Sequence, residues 1–193
     1  MSKPFDELFR STDAGRDAFR ARLFGLFSEE IVRAWCANEA APYRDLGRPT
    51  LWTARAFATL DFTLQSRADS RVHVAEQKGE MAFEGGRRLR LDEQADLAKF
   101  HTGRAFRWFL DVARDPASHD VRLGAKPIEV HGAILVWGAV TDAGRQAAIL
   151  RHGFEDVLSV EAMVDDLRAW GDKKWPARVQ QLRDWARSGA WPR

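Results

Sequence analysis

The chain has 193 residues, of which 45% are hydrophobic, 30% charged and 11% aromatic. That is enough for one well-packed domain, short for two, and outside the disordered and fibrous classes. Thirty basic and 28 acidic residues leave a net charge of +2, too little to announce a nucleic-acid partner, so any basic surface must come from local clustering. No run approaches the roughly 18 apolar residues of a membrane span, and the opening MSKPFDELFRSTD mixes acids where a signal peptide is apolar, so a cytoplasmic location without a membrane partner is expected.

In chain order, Phe19, Leu23, Leu26 and Phe27 recur at three and four residue steps and predict a helix over 5–27, capped by Thr12 or Asp13. Ser28 then stands where an N-cap belongs, and Glu29 and Glu30 occupy the first turn of a second helix running to Asn38. Cys36, the one cysteine, rules out an internal disulfide and is predicted to be a small buried residue. After the turn-like Asp45 to Pro49 the period changes to two. Leu51 to Thr53 predicts a first strand, and Phe57 to Leu64 a second, with Ala58, Leu60, Phe62 and Leu64 packing and Asp61 facing the opposite way. Arg71 to Met81 predicts a third strand, in which Val72, Val74, Glu76 and Lys78 share one face and His73, Ala75 and Gln77 the other.

Glu84 to Gly86 then predicts a turn, followed by the basic run Arg87, Arg88 and Arg90. Asp92 caps a predicted long helix reaching Ala113, with Leu97, Phe100, Phe106, Phe109 and Leu110 inward. Ile128 to Val140 is the most continuously apolar run and predicts a strand covered on both faces. Thr141 and Asp142 start a helix that stops at His152-Gly153; a strand over 156–160, a helix over 161–170 and a last helix from Pro176 follow. Trp170, Trp175, Trp185 and Trp191 are predicted mainly to pack that last helix onto the domain. The fold class is therefore α/β, a three-layer arrangement with a mixed central sheet and extra helices at both termini.

The chemistry concentrates between Phe57 and Glu80. Two acids from neighbouring strands make a minimal oxygen cradle for a hard divalent ion such as Mg²⁺, with Mn²⁺ as substitute, and the backbone carbonyl of Gln77 is a further ligand. Lys78, on the pleat face of Glu76, lies about 6.5–7 Å farther along, where it can orient a water or neutralise charge on a phosphorane. A bare acid-x-Lys triplet also occurs by accident at Asp172 to Lys174, so the strand setting of Glu76 to Lys78 is what distinguishes it. His73, which alternates away from the acids, is expected to be a strand histidine rather than a base.

An acid in one strand, then acid-x-Lys in the next, preceded by an acid-bearing helix and followed by a helix and an apolar strand, resembles the PD-(D/E)XK, restriction-endonuclease-like nucleases. The resemblance implies an αβββαβ core over 28–160 within a single domain of 1–193, flanked by extensions at 1–27 and 161–193. It implies Asp61 as the first motif acid, Glu76, Gln77 and Lys78 as the second motif, and Glu29 or Glu30 as the helix acid. Glu29 is favoured because Val32 and Trp35 follow it by three and six. The activity implied is metal-dependent hydrolysis of nucleic acid, DNA in the first place. Arg87, Arg88, Arg90, Arg104 and Arg107 would follow the phosphate backbone. A homodimer is compatible with such a fold, since duplex cutting needs two sites. The rival readings are a nuclease-like fold that binds nucleic acid or protein without cutting, and an α/β domain in which the acids never converge.

Overall fold

A computed structural model describes residues 14–78, 81–82, 87–88, 90–92, 97, 100–177 and 180, with side chains described from residue 25 onward except at 81–82 and 87–88. Helix α1, Ala14–Ala37, is continuous. The expected break at Ser28 is absent: Ser28 is buried inside the helix. Apolar side chains at 27, 31, 32 and 35 keep one stripe in phase through that point, and tertiary burial of this stripe outweighs the local capping preference.

Short strand β1 (Tyr43–Asp45), which the periodicity does not reveal, follows. Next come β2 (Pro49–Thr53) and β3 (Ala56–Thr59), a hairpin whose turn is Ala54-Arg55. The chain then enters β4 (Phe62–Ser66) and β5 (Val72–Lys78). The strand expected over Phe57 to Leu64 is thus two strands in two different sheets, with the change at Leu60-Asp61. Leu60 N–H still donates to Pro49 O in the β2–β3 ladder, at 3.0 Å, while Phe62 already pairs with Ala75. Leu60 and Phe62, expected on one face, consequently pack into different cores.

Strands β6 (Met81–Ala82) and β7 (Arg87–Arg88) pair antiparallel; the turn expected at Glu84 to Gly86 lies outside the described residues. β8 (Arg90–Leu91) precedes helix α2, Arg104–Arg114. The long helix expected from Asp92 therefore begins at 104, behind Gly103. Leu97 and Phe100 pack inward as predicted, but from outside that helix. The turn and strands after α2, β9 (Asp120–Leu123) and β10 (Lys126–Pro127), are followed by β11 (Ala133–Trp137), β12 (Ala139–Val140), α3 (Asp142–His152), β13 (Asp156–Ser159) and α4 (Val160–Ala169). Here the local signals hold closely. Thr141 caps α3 by accepting from Gly144 N–H, and Gly153 ends it in the left-handed region at φ 80°.

The main sheet has order β1-β4-β5-β11-β13, antiparallel from β1 to β5 and parallel from β5 to β13. β11, every residue of which is buried, lies inside it as its apolar run predicts. A second antiparallel sheet, β10-β9-β2-β3, carries the hairpin. One core joins α1 and α4 to a face of the main sheet through Phe27, Ile31, Trp35, Phe62, Ile134 and Met163. The other joins α2 and α3 to the opposite face and to the small sheet through Leu51, Phe109, Leu135, Ala148 and Val157. The molecule is mixed α/β, and each fully buried large apolar side chain contributes about 1.5–3 kcal/mol by transfer from water. Trp175 stacks on Phe27 with ring centroids 5.6 Å apart, and Trp170 on Trp35 at 6.2 Å, as expected of packing residues. Trp185 and Trp191 lie outside the described residues. No described helix is long and apolar enough to cross a membrane.

Candidate metal centre

The corner between the two sheets brings the two strand acids together. Asp61 follows β3 and precedes β4; since Phe62 pairs with Ala75, one further step of the same register sets Asp61 beside Glu76. Its side chain does there what a ladder carbonyl would otherwise do. Asp61 Oδ2 accepts the Gln77 backbone N–H at 2.9 Å, and Oδ1 accepts from Arg48 Nη2 at 3.1 Å. Arg48, directly before β2, also reaches Leu60 O at 3.4 Å, so the open end of the hairpin is tied to the acid it delivers.

Glu76, inside β5, has only 7% of its side chain exposed. Oε1 accepts from Lys78 Nζ at 2.6 Å. Oε2 is fully buried and has no hydrogen-bond partner among the described residues. Burial, and after it the charge of Asp61, pushes the Glu76 carboxyl up to about 7, and Lys78 only partly offsets this. Each acid has one cationic partner, Arg48 for Asp61 and Lys78 for Glu76, and it is burial that leaves the Glu76 carboxylate incompletely compensated. Thr63, which pairs with Val74 and so shares the face of Glu76, adds a second buried oxygen without a partner among the described residues, Oγ1. Lys78 Nζ also lies 5.7 Å from the Phe106 ring centroid, held between its carboxylate and the face of an aromatic on α2. The predicted shared face of Glu76 and Lys78 is observed as a direct ion pair.

These donors fit a hard divalent ion in the manner of Mg²⁺, which is held by one or two carboxylates and keeps its other positions for water and substrate phosphate. The observation behind this is the buried, unpartnered Oε2 of Glu76 beside a second carboxylate. Among the described residues no group of three or more His, Cys, Asp or Glu side chains gathers to hold a metal.

Glu29 and Glu30 lie on α1. Glu29 Oε2 accepts from Arg33 Nη2 at 2.8 Å and Glu30 Oε1 from Arg33 Nη1 at 2.9 Å. Arg33 in turn stands 5.5 Å from the centroid of Phe62, the residue after Asp61. Phe62 and α1 share the core on the Ala75 face of the sheet, whereas Glu76 projects with Val74 on the opposite face, so the structure engages both helix acids with Arg33 and brings neither of them to the pair. Gln77 points its side chain to that α1 face, paired with Val136, and its Oε1 is buried without a partner among the described residues.

Of the basic residues, Arg104 and Arg107 are exposed on the first turn of α2, on either side of the buried Phe106 that supports Lys78. Arg90 is exposed on β8. Arg87 and Arg88 form β7, and their side chains lie outside the described residues. Sequence reasoning did not single out Arg48, Thr63 or Phe106 for the site. Thr63 was within reach, two residues past Asp61 on the same predicted strand; Arg48 carries no local signal, because the pairing exists only after the hairpin closes. Asp172, head of the accidental triplet, accepts from Lys174 and Trp175 N–H and so caps a helical turn. His73 is buried with its ring edge-on to Tyr43 and His131, a packed strand histidine. Comparison with protein-family models, with curated proteins and with solved structures finds no match to this chain.

Proposed function

We propose that this protein is a divalent-metal-dependent phosphodiesterase acting on nucleic acid, DNA in the first place. The observation that carries the proposal is the Asp61 and Glu76 pair at the sheet corner, with Glu76 buried and its Oε2 without a partner among the described residues. Support for the PD-(D/E)XK likeness comes from the order of elements. An acid-bearing helix precedes an antiparallel hairpin holding both acids, and a helix then leads to a buried strand parallel to the acid-x-Lys strand.

Asp61 and Glu76 would hold the ion. When bound, it stabilises charge on the scissile phosphate and acidifies an attacking water. Arg48 and the Gln77 N–H fix the orientation of the Asp61 carboxylate. Lys78, held at Glu76 Oε1 over Phe106, presents its remaining N–H groups for a water or a non-bridging phosphate oxygen and neutralises charge that develops there. Arg104 and Arg107, exposed on either side of Phe106, would receive neighbouring phosphates.

The test is cleavage of linear, nicked, branched and single-stranded substrates in Mg²⁺ or Mn²⁺. Asp61→Asn, which keeps side-chain shape and removes charge, and Lys78→Ala are each expected to lower the rate by at least about 100-fold. Activity surviving both substitutions overturns this mechanism. A wild type that cuts nothing under these conditions moves the assignment to a binding module.

A further inference from the structure

The outer face of the small sheet carries an aromatic and cationic surface that the cleavage site does not use. Alternation along β2 and β3 buries Leu51 and Ala58 and turns Trp52 and Phe57 outward. The two are directly paired across the hairpin, their ring centroids are 5.1 Å apart, and they are 37% and 57% exposed. Exposed large aromatics side by side on a sheet face invite a partner with flat apolar surfaces. Around them the charge is basic. Arg122 on β9 leans over Trp52 at 5.5 Å from its centroid, and Arg55 stands exposed in the hairpin turn. Arg122 is also paired with Asp120, the acid opposite Trp52 in the sheet.

The same hairpin ends at the candidate metal centre. Its closed end carries Arg55, and its open end carries Arg48 and Asp61, which are paired to each other. Phe57 precedes Asp61 by four residues, at most about 13 Å along a chain that turns at Leu60-Asp61. A face that offers ring surfaces flanked by guanidinium groups, continuous with a phosphodiester-cleaving corner, is complementary to a polyanion with exposed bases. Duplex DNA presents phosphates but hides its base faces, whereas an unpaired strand presents both.

We propose that Trp52 and Phe57 form a stacking platform for unpaired nucleotides, so that the substrate class is single-stranded nucleic acid or a duplex with an unpaired tail. This rests on the function proposed above and adds to it. At the ~3.4 Å rise of a stacked strand, the platform engages bases within about four nucleotides of the scissile phosphate.

The test is a binding titration by fluorescence anisotropy in EDTA, so that it does not depend on cleavage. The probes are a labelled DNA single strand, the same strand in a full duplex, and duplexes with tails of increasing length. Trp52→Thr with Phe57→Thr, chosen because threonine keeps strand propensity, is expected to reduce the single-strand to duplex affinity ratio at least about tenfold. Trp52→Phe with Phe57→Tyr retains the ratio. In the wild type, affinity rises by the time the tail reaches about four nucleotides.

A ratio unchanged by the threonine pair overturns the platform, as does a wild type that binds neither probe. So does a threonine pair that changes the molecular mass in solution without nucleic acid, which would make the face a protein interface. The nuclease reading fails on separate readouts, when Asp61→Asn cuts as the wild type does or the wild type cuts nothing, and aromatic-dependent binding would survive either result.

Discussion

At the scale of single residues, Glu76 combines deep burial, a neighbouring acid and an oxygen without a partner, and these set its response to pH. In metal-free protein its carboxyl titrates near 7 in the fold, against about 4.5 for an ordinary glutamate. Between those values the folded state keeps a proton that the unfolded chain has released. Stability therefore falls as pH rises through this window, and the loss is complete above it. Urea denaturation in EDTA at about pH 5 and about pH 8 should show this loss in the wild type and little of it in Glu76→Gln. His73, whose buried ring is held below the ordinary histidine value, adds stability as pH rises through the same window in both proteins, so an identical pH dependence in the wild type and Glu76→Gln would refute the assignment. Saturating Mg²⁺ should restore stability at the higher pH, since a ligand of the folded state alone stabilises it by mass action.

At the scale of elements, the informative case is α1. A serine followed by two glutamates reads locally as a helix start, and Glu29 and Glu30 do find a cation within the helix, in Arg33. Yet Ser28 is interior, because the apolar stripe of α1 continues through it onto the sheet. Proline distinguishes the two readings, since it is tolerated at a helix start and disruptive inside. Ser28→Pro should cost about 3 kcal/mol or more, read as a drop in denaturation midpoint. An undiminished midpoint would mean that the helix does break there. The β3–β4 corner follows the same logic. Strict alternation from Phe57 to Leu64 is compatible with one strand, and only the competing partners, β2 for one half and β5 for the other, divide it.

For the whole molecule, a net charge of +2 leaves no strong long-range field, so the proposed affinity for nucleic acid would have to come from local arginines. Arg48, Arg55, Arg104 and Arg107 are exposed, and Arg122 half-exposed, on the hairpin, the small sheet and the start of α2. If each neutralises one phosphate of an unpaired strand, log affinity should fall against log salt with a slope of about −3 to −4. Titrations at several salt concentrations measure it directly. A slope near zero would leave these arginines without phosphate partners, and Arg104→Ala with Arg107→Ala should reduce the slope by about 1.4.

The sequence by itself determined what depends on neighbours in the chain. Alternation set the shared face of Glu76 and Lys78, an uninterrupted apolar run marked β11, and threonine and glycine at its two ends bounded α3. It also singled out both acids of the candidate centre. What only the tertiary structure decided is how distant segments compete for one strand or one surface. That competition carried α1 through Ser28, began α2 at Arg104 rather than near Asp92, and added β1 and the small sheet. It also turned Asp61 from a mid-strand residue into the corner between two sheets. The physical reason is common to all of these: the local capping and propensity preferences at stake here are typically worth about 1 kcal/mol, whereas burying one large apolar side chain contributes about 1.5–3 kcal/mol. Arg48 meets Asp61, and Phe106 meets Lys78, only after apolar burial and strand pairing have folded the hairpin onto the main sheet.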